Sequence, residues 1–184
     1  MIQSRQKSGI LRHAAGYFIG IGLFLILIPL GIVSLASSEY RIFSIPILPY
    51  LPARVILSAL FFIPGAVFVL WSNLFLFSRG KGGPTDIAGL SISPRTKKLV
   101  MEGPYRYTRN PMVFGVHSIY AALSLYLNSL GCLLVLILFF LTVVRLVVLK
   151  EEKRLEKDFG SEYAAYRKKT PMFFPRLFNI GKKG

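Results

Sequence analysis

Three stretches of the chain carry no charged side chain: residues 14–38, 55–78 and 110–144. Each exceeds the ~18 apolar residues that signal a transmembrane helix, and the third is long enough for two. The pattern predicts spans near residues 14–35, 55–77, 111–126 and 131–149, the last two forming a hairpin that turns at Asn128-Ser129. Pro46, Pro49 and Pro52 break any helix between the first two spans, and Tyr40 and Tyr50 beside them suit a membrane interface. Gly16, Gly20 and Gly22 give the first span a face that a neighbouring helix can approach closely. Pro64-Gly65 marks a kink in the second. No glycine or proline interrupts the chain from Cys132 to Phe159. A helix over 131–158 is ~42 Å long against a hydrocarbon core of ~30 Å, so the fourth span is expected to project out of the membrane. Gly160-Ser161, a short helix through Tyr163 and Tyr166, and then Pro171 and Pro175 follow. The expected fold is all-α, an integral membrane bundle of four transmembrane helices with a short C-terminal helix.

Composition agrees with this pattern. Of 184 residues 53% are hydrophobic and only 17% charged, below the roughly 25% of a soluble globular chain. That excludes a disordered tail and an ordinary soluble domain. The formal charge of +15 would suggest nucleic acid on a soluble domain, but here the basic residues flank the spans. Arg5, Lys7 and Arg12 precede the first span, and seven basic residues face two acidic ones between Ser78 and Asn110. Residues 150–184 hold ten basic and five acidic residues, whereas the connection after the first span has only Glu39, Arg41 and Arg54. Lys and Arg excess marks cytoplasmic segments, so both termini and the central loop are expected inside the cell membrane, with no nucleic-acid partner. The first apolar run is longer than the ~7–15 residue core of a signal peptide and is expected to be retained. Cys132, the single cysteine, lies in the fourth span and offers neither a disulfide nor a cysteine metal site.

Polar residues converge on the inner ends of spans three and four. Asn110-Pro111 reads as a helix start, with Asn as N-cap and Pro in the first helical position. Its positive dipole end and free amides are a seat for an anionic group. Glu151 and Glu152 read either as site residues or as a solvated helix face paired with Lys150, Lys153 or Arg154. His117 and Arg145 are ionisable residues within or near the membrane and hence functional candidates. Arg145 reads equally as a cation snorkelling to the interface, and His117 as a packed core histidine. The glycines of residues 80–83 lack the spacing of a phosphate-binding loop and read as a linker. No metal-ligand spacing and no Ser/His/Asp set is apparent.

Two linked motifs carry a family resemblance. Leu99-Val100-x-x-Gly103-Pro104-Tyr105-Arg106-Tyr107-Thr108-Arg109-Asn110-Pro111-Met112 is followed, one hairpin later, by Glu151-Glu152-x-x-Leu155-x-x-x-Phe159-Gly160-x-x-Tyr163-x-x-Tyr166. Together with Gly80-Lys81-Gly82-Gly83-Pro84 upstream and Pro171-x-x-x-Pro175 at the end, this resembles the isoprenylcysteine carboxyl methyltransferase and phospholipid methyltransferase superfamily. The resemblance covers about residues 80–175 and implies a catalytic region over 80–184, with residues 1–79 as two anchoring spans. It implies an integral membrane enzyme using S-adenosylmethionine, held in a cytoplasmic pocket between the loop before span three and the end of the long helix. Carried over by position, cofactor contacts fall on Lys97, Lys98, Leu99, Val100, Gly103, Tyr105, Asn110, Pro111, Met112, Val113 and Glu151. Asn110 stands where many members have His, and Val113 where they have Tyr. The isoprenylcysteine enzymes carry a substrate-associated Arg where this chain has Val147.

A pocket at the cytoplasmic ends of the spans serves a polar cofactor arriving from water and a lipophilic acceptor arriving through the bilayer. Methyl transfer from a sulfonium needs alignment and exclusion of water more than a strong base. Arg145 and His117 are the candidates for orienting the acceptor, and membrane lipids are the expected surroundings. Two other readings remain open on the residues alone: an NADPH-dependent reductase of the membrane sterol-reductase type, and a scaffold whose basic loops hold anionic lipid.

Overall fold

A computed structural model of the chain describes residues 18, 22–42, 46–80, 86, 87, 90, 91 and 98–176. Helix α1 (Gly22–Ile42) opens with a π-helical stretch, Gly22–Leu27. Helix α2 (Leu51–Phe75) follows the proline-broken connection and continues in π form over Leu76–Gly80. Helix α3 (Pro111–Tyr126) and helix α4 (Leu130–Lys169) form the hairpin. Two-residue strands, β1 (Asp86–Ile87) and β2 (Leu90–Ser91), pair antiparallel in the central loop. Among the described residues the apolar stretches are helical, the form that bonds its own backbone and so is tolerated in lipid.

Among the described residues three helices, α1, α2 and α4, are long and apolar enough to cross a membrane, while α3 is apolar but shorter. At 16 residues α3 is ~24 Å long. It packs along α2, the most extensive helix–helix contact among the described residues. The outward faces are apolar: Leu25 is 69% and Leu60 65% exposed. In water such a surface invites association; in a bilayer it is the lipid contact.

The tightest packing joins α2 to α3. A Cβ on Gly65 would lie 2.8 Å from the Gly115 carbonyl oxygen, and one on Gly115 would lie 2.6 Å from that of Gly65. Here glycine permits backbone-to-backbone contact, the usual device of membrane helices that gain little from hydrophobic segregation. Helix α2 continues through Pro64, so Gly65 is a contact point within an unbroken element. Of the glycine face expected on α1, only Gly22 is described, and it makes no such contact. Gly16 and Gly20 lie outside the described residues, and a Cβ on Gly22 meets nothing within 4 Å. Helix α1 is instead fastened by side chains: the Tyr120 hydroxyl donates to the Phe24 carbonyl at 2.8 Å, and Cys132 Sγ to that of Ile32 at 3.3 Å.

At the hairpin end Asn128 takes a left-handed conformation (φ 59°), which its short polar side chain tolerates. Its Oδ1 accepts the Leu48 amide at 2.9 Å. Ser129 caps α4 by accepting the Cys132 amide at 3.0 Å. Up to the kink at Gly160, α4 is ~45 Å long, about one and a half times the hydrocarbon thickness. Its apolar first half gives way to a charged second half without a break before Gly160. Gly160 (φ 53°, ψ −124°) breaks the helical geometry, setting off the short C-terminal segment.

Candidate active site

The opposite end of the bundle gathers the polar residues. A 3-10 turn, Gly103–Arg106, sits over the end of α2. Gly103 needs its freedom twice over: φ is +57°, and a Cβ would lie 2.6 Å from the Phe75 ring. Trp71 packs against Tyr107 at 6.0 Å between ring centroids and against Phe75 at 6.1 Å, so aromatic side chains of α2 form a platform for the turn. Pro104, Thr108 and Pro111 are fully buried.

The chain after α4 returns across this turn as a strap. The Thr108 hydroxyl and Asn110 Nδ2 both donate to the Met172 carbonyl at 3.0 Å. The Arg109 amide donates to the Pro171 carbonyl at 2.9 Å, and the Arg176 amide to that of Tyr107 at 3.0 Å. Asn110 therefore does not cap α3 with its side chain, as the Asn-Pro pair suggested; that amide is used to hold the strap.

Arg109 is the centre of the arrangement. Its Nε lies 2.8 Å from Glu152 Oε1, and its Nη1 donates to the carbonyls of Arg167 and Thr170, each at 2.8 Å. One guanidinium thus neutralises a buried carboxylate and satisfies carbonyls at the C-terminal end of α4. The Tyr166 hydroxyl donates to the Tyr105 carbonyl at 2.7 Å. Tyr163 is 1% exposed; burial and then the Glu152 charge push its pKa up, with Arg109 opposing. Burial likewise raises Tyr105 and Tyr166, so all three hydroxyls stay protonated at neutral pH.

His117 lies nearly two turns into α3. Its Nδ1 is 2.8 Å from the Val113 carbonyl, the tautomer in which Nδ1 carries the proton, and its Nε2 is buried without a hydrogen-bond partner. The imidazole packs edge-on to Phe140 at 5.0 Å, and Phe140 packs on Phe173 of the strap at 4.8 Å. Phe140 opens a π-helical stretch of α4, Phe140–Val144, a local irregularity that often accompanies functional sites.

The residues singled out by motif fall around this network in different ways. Leu99, Val100, Gly103, Tyr105, Asn110, Met112 and Val113 are half-buried and Pro111 is buried, while Lys98 is exposed and Lys97 lies outside the described residues. Glu151 is half-buried and paired with Arg154, whereas its neighbour Glu152 carries the bridge to the loop. Arg145 is exposed and makes no hydrogen bond or ion pair among the described residues. Sequence reasoning named Glu152 only as one of a doublet, gave Thr108 and Arg109 no role beyond the motif, and did not foresee the strap. The signal available was the Glu151-Glu152 doublet itself, because successive helical residues point ~100° apart and only one could face the loop. Among the described residues no group of His, Cys, Asp and Glu is placed to hold a metal ion.

The apolar helices, with a polar cluster at one end of the bundle, are those of an integral membrane protein. The sequence profile of the family described as phospholipid methyltransferase matches residues 53–162, more than half the chain. The match runs from the first turn of α2 through the turn, the hairpin and most of α4. The chain belongs to this family and is a membrane methyltransferase. Comparison with curated proteins and with solved structures finds no match.

Proposed function

We propose that the protein transfers a methyl group from S-adenosylmethionine to a lipophilic acceptor at the cytoplasmic face of the cell membrane. One observation carries the reading: Arg109–Glu152 and Tyr166–Tyr105 hold the loop motif against α4, next to Glu151. The catalytic region is residues 80–184, with the first two helices as its anchor.

The donor set suits the cofactor. Glu151 offers a half-buried carboxylate for hydroxyl or ammonium groups, and the first-turn amides of Met112 and Val113 lack intrahelical partners and suit a carboxylate. Leu99, Val100 and the Tyr105 ring give apolar surface for a planar base. Bound there, S-adenosylmethionine supplies an activated methyl group. The protein's own part is positioning and exclusion of water, with the strap as the cover. His117 Nε2, buried and unpartnered, accepts a hydrogen bond from the acceptor's O–H or N–H. Arg145, exposed where α4 resumes regular geometry, offers its charge to the acceptor's headgroup.

Titration calorimetry of purified protein in detergent with S-adenosylhomocysteine tests this. Binding that is lost in Glu151→Ala and in Tyr105→Ala, both still folded, supports the reading; no binding by the wild-type protein overturns it. Incubation of labelled S-adenosylmethionine with the protein and a lipid extract then identifies the acceptor.

A further inference from the structure

At the hairpin end, across the bundle from the strap, a cavity of about 310 Å³ lies between α1, the start of α2 and the Asn128 turn. It is lined by charges of both signs, Glu39 and Arg54, with apolar surface from Ala36, Pro46 and Leu127. Its volume falls at the lower end of the ~300–1,000 Å³ typical of ligand sites.

The two charges are placed but do not satisfy each other. The Glu39 carboxylate accepts the Ser129 hydroxyl and the Gly131 amide, the latter at 3.1 Å. A Cβ at position 131 would lie 2.9 Å from Glu39 Oε2, so glycine makes the room that this carboxylate needs. These bonds fix its position and still leave lone pairs open to the cavity. Arg54, in the first turn of α2, has a buried Nε with no hydrogen-bond partner. Among the described residues no ion pair joins it to Glu39. A buried, unpaired guanidinium donor is costly unless something supplies an acceptor.

We propose that this cavity binds the headgroup of a zwitterionic phospholipid, its phosphate on Arg54 and its ammonium on Glu39. A simple anion would satisfy Arg54 but be repelled by the fixed carboxylate beside it; a group bearing both charges meets both partners. The depth also suits a lipid. Tyr40 and Tyr50, 75% and 76% exposed, flank the cavity in sequence and belong at the membrane–water boundary, where headgroups lie. The site goes beyond the methyl-transfer reading and is independent of it, lying at the other end of the bundle.

Native mass spectrometry of the full chain, delipidated in detergent and offered matched phosphatidylcholine, phosphatidylethanolamine and phosphatidylglycerol, tests the site without any methyl donor. The expected result is retention of the two zwitterionic lipids about tenfold over phosphatidylglycerol. Arg54→Met should abolish that retention. Glu39→Gln keeps the acceptor for Ser129 and Gly131, and should erase the selectivity while leaving lipid bound. Equal retention of the three lipids by the wild-type protein, or unchanged retention in Arg54→Met, overturns the proposal. Displacement of lipid by millimolar inorganic phosphate would make this a plain anion site, and equal affinity for soluble phosphocholine would remove the membrane from it; either also overturns it. None of these outcomes bears on S-adenosylhomocysteine binding at the strap end, so the two readings fail separately.

Discussion

Arg109 and Glu152, 43 positions apart in sequence, meet at 2.8 Å with 9% and 8% of their side chains exposed. A buried pair of this kind adds little net stability compared with apolar residues, but it cannot be half-removed. Its effect here is positional. It fixes the rotation of α4 about its axis, and with it where Glu151 faces. It also fixes the strap, because the same guanidinium holds the carbonyls of Arg167 and Thr170.

Arg109→Met should therefore be among the more damaging single substitutions at this end. It strands Glu152 and frees two strap carbonyls, a loss of about 3–5 kcal/mol for a broken buried pair. Glu152→Gln keeps an acceptor for Arg109 Nε and should cost less. Thermal unfolding in detergent ranks the two, and limited proteolysis should cut residues 170–176 faster in the Arg109 variant. Equal melting temperatures for Arg109→Met and wild type would show that the bridge does not hold the strap.

Much of this fold is legible in the sequence because charge is excluded from lipid. The uncharged stretches, the proline-broken connection and the glycine-free run after Cys132 each predict an element that the structure contains. The site is legible only in part. Gly103-Pro104 and Asn110-Pro111 mark the turn and the start of α3, since glycine and proline act locally. The choice between Glu151 and Glu152 depends on the rotation of α4, which is fixed by a partner on another element. The strap escapes for a related reason: residues 170–176 have no periodicity, and they are held largely through backbone carbonyls that any sequence carries. Gly65 and Gly115 look no different from Gly22 or Gly31 until the helices are placed side by side.

That last contrast is testable. Gly115→Ala forces a methyl group to within 2.6 Å of the Gly65 carbonyl and 2.9 Å of the Val69 amide nitrogen, both backbone atoms that cannot swing aside. Separation of α2 and α3 should cost about 1–3 kcal/mol, as overpacking does. Gly31→Ala meets nothing within 4 Å and removes a poor helix former, so it should be neutral or stabilising by up to about 1 kcal/mol. Chemical unfolding in mixed micelles measures both, and equal effects would show that the α2–α3 contact does not govern packing.

Alkaline pH should loosen the strap. Tyr105, Tyr163 and Tyr166 have their pKa values raised in the folded protein, chiefly by burial. A raised folded pKa gives stability that is complete below the unfolded value, about 10 for tyrosine, and declines as pH rises above it. Melting temperature should thus be flat with respect to these groups near neutrality and fall above pH ~10. Tyr166→Phe removes one such group and the bond to the Tyr105 carbonyl. It should lower stability at neutral pH by about 1 kcal/mol and flatten the alkaline decline. An alkaline slope as steep in Tyr166→Phe as in wild type would exclude this tyrosine as a contributor.

His117 separates positioning of the acceptor from binding of the donor. Its Nδ1 is committed to the Val113 carbonyl, so chemistry at this residue falls to Nε2, buried and unpartnered beside Phe140. His117→Phe fills similar space with no acceptor atom. If Nε2 orients the nucleophile, kcat should fall at least about tenfold while S-adenosylhomocysteine affinity stays within about twofold, a loss confined to the transition state. His117→Gln, whose amide oxygen can accept in place of Nε2, should recover part of the rate. A packed histidine with no other role predicts the reverse: Phe, apolar and ring-shaped, would be tolerated, and Gln would be the worse substitute. The order of the two variants in kcat therefore decides between site and core, and a parallel loss of cofactor affinity in both would assign His117 to the donor side instead.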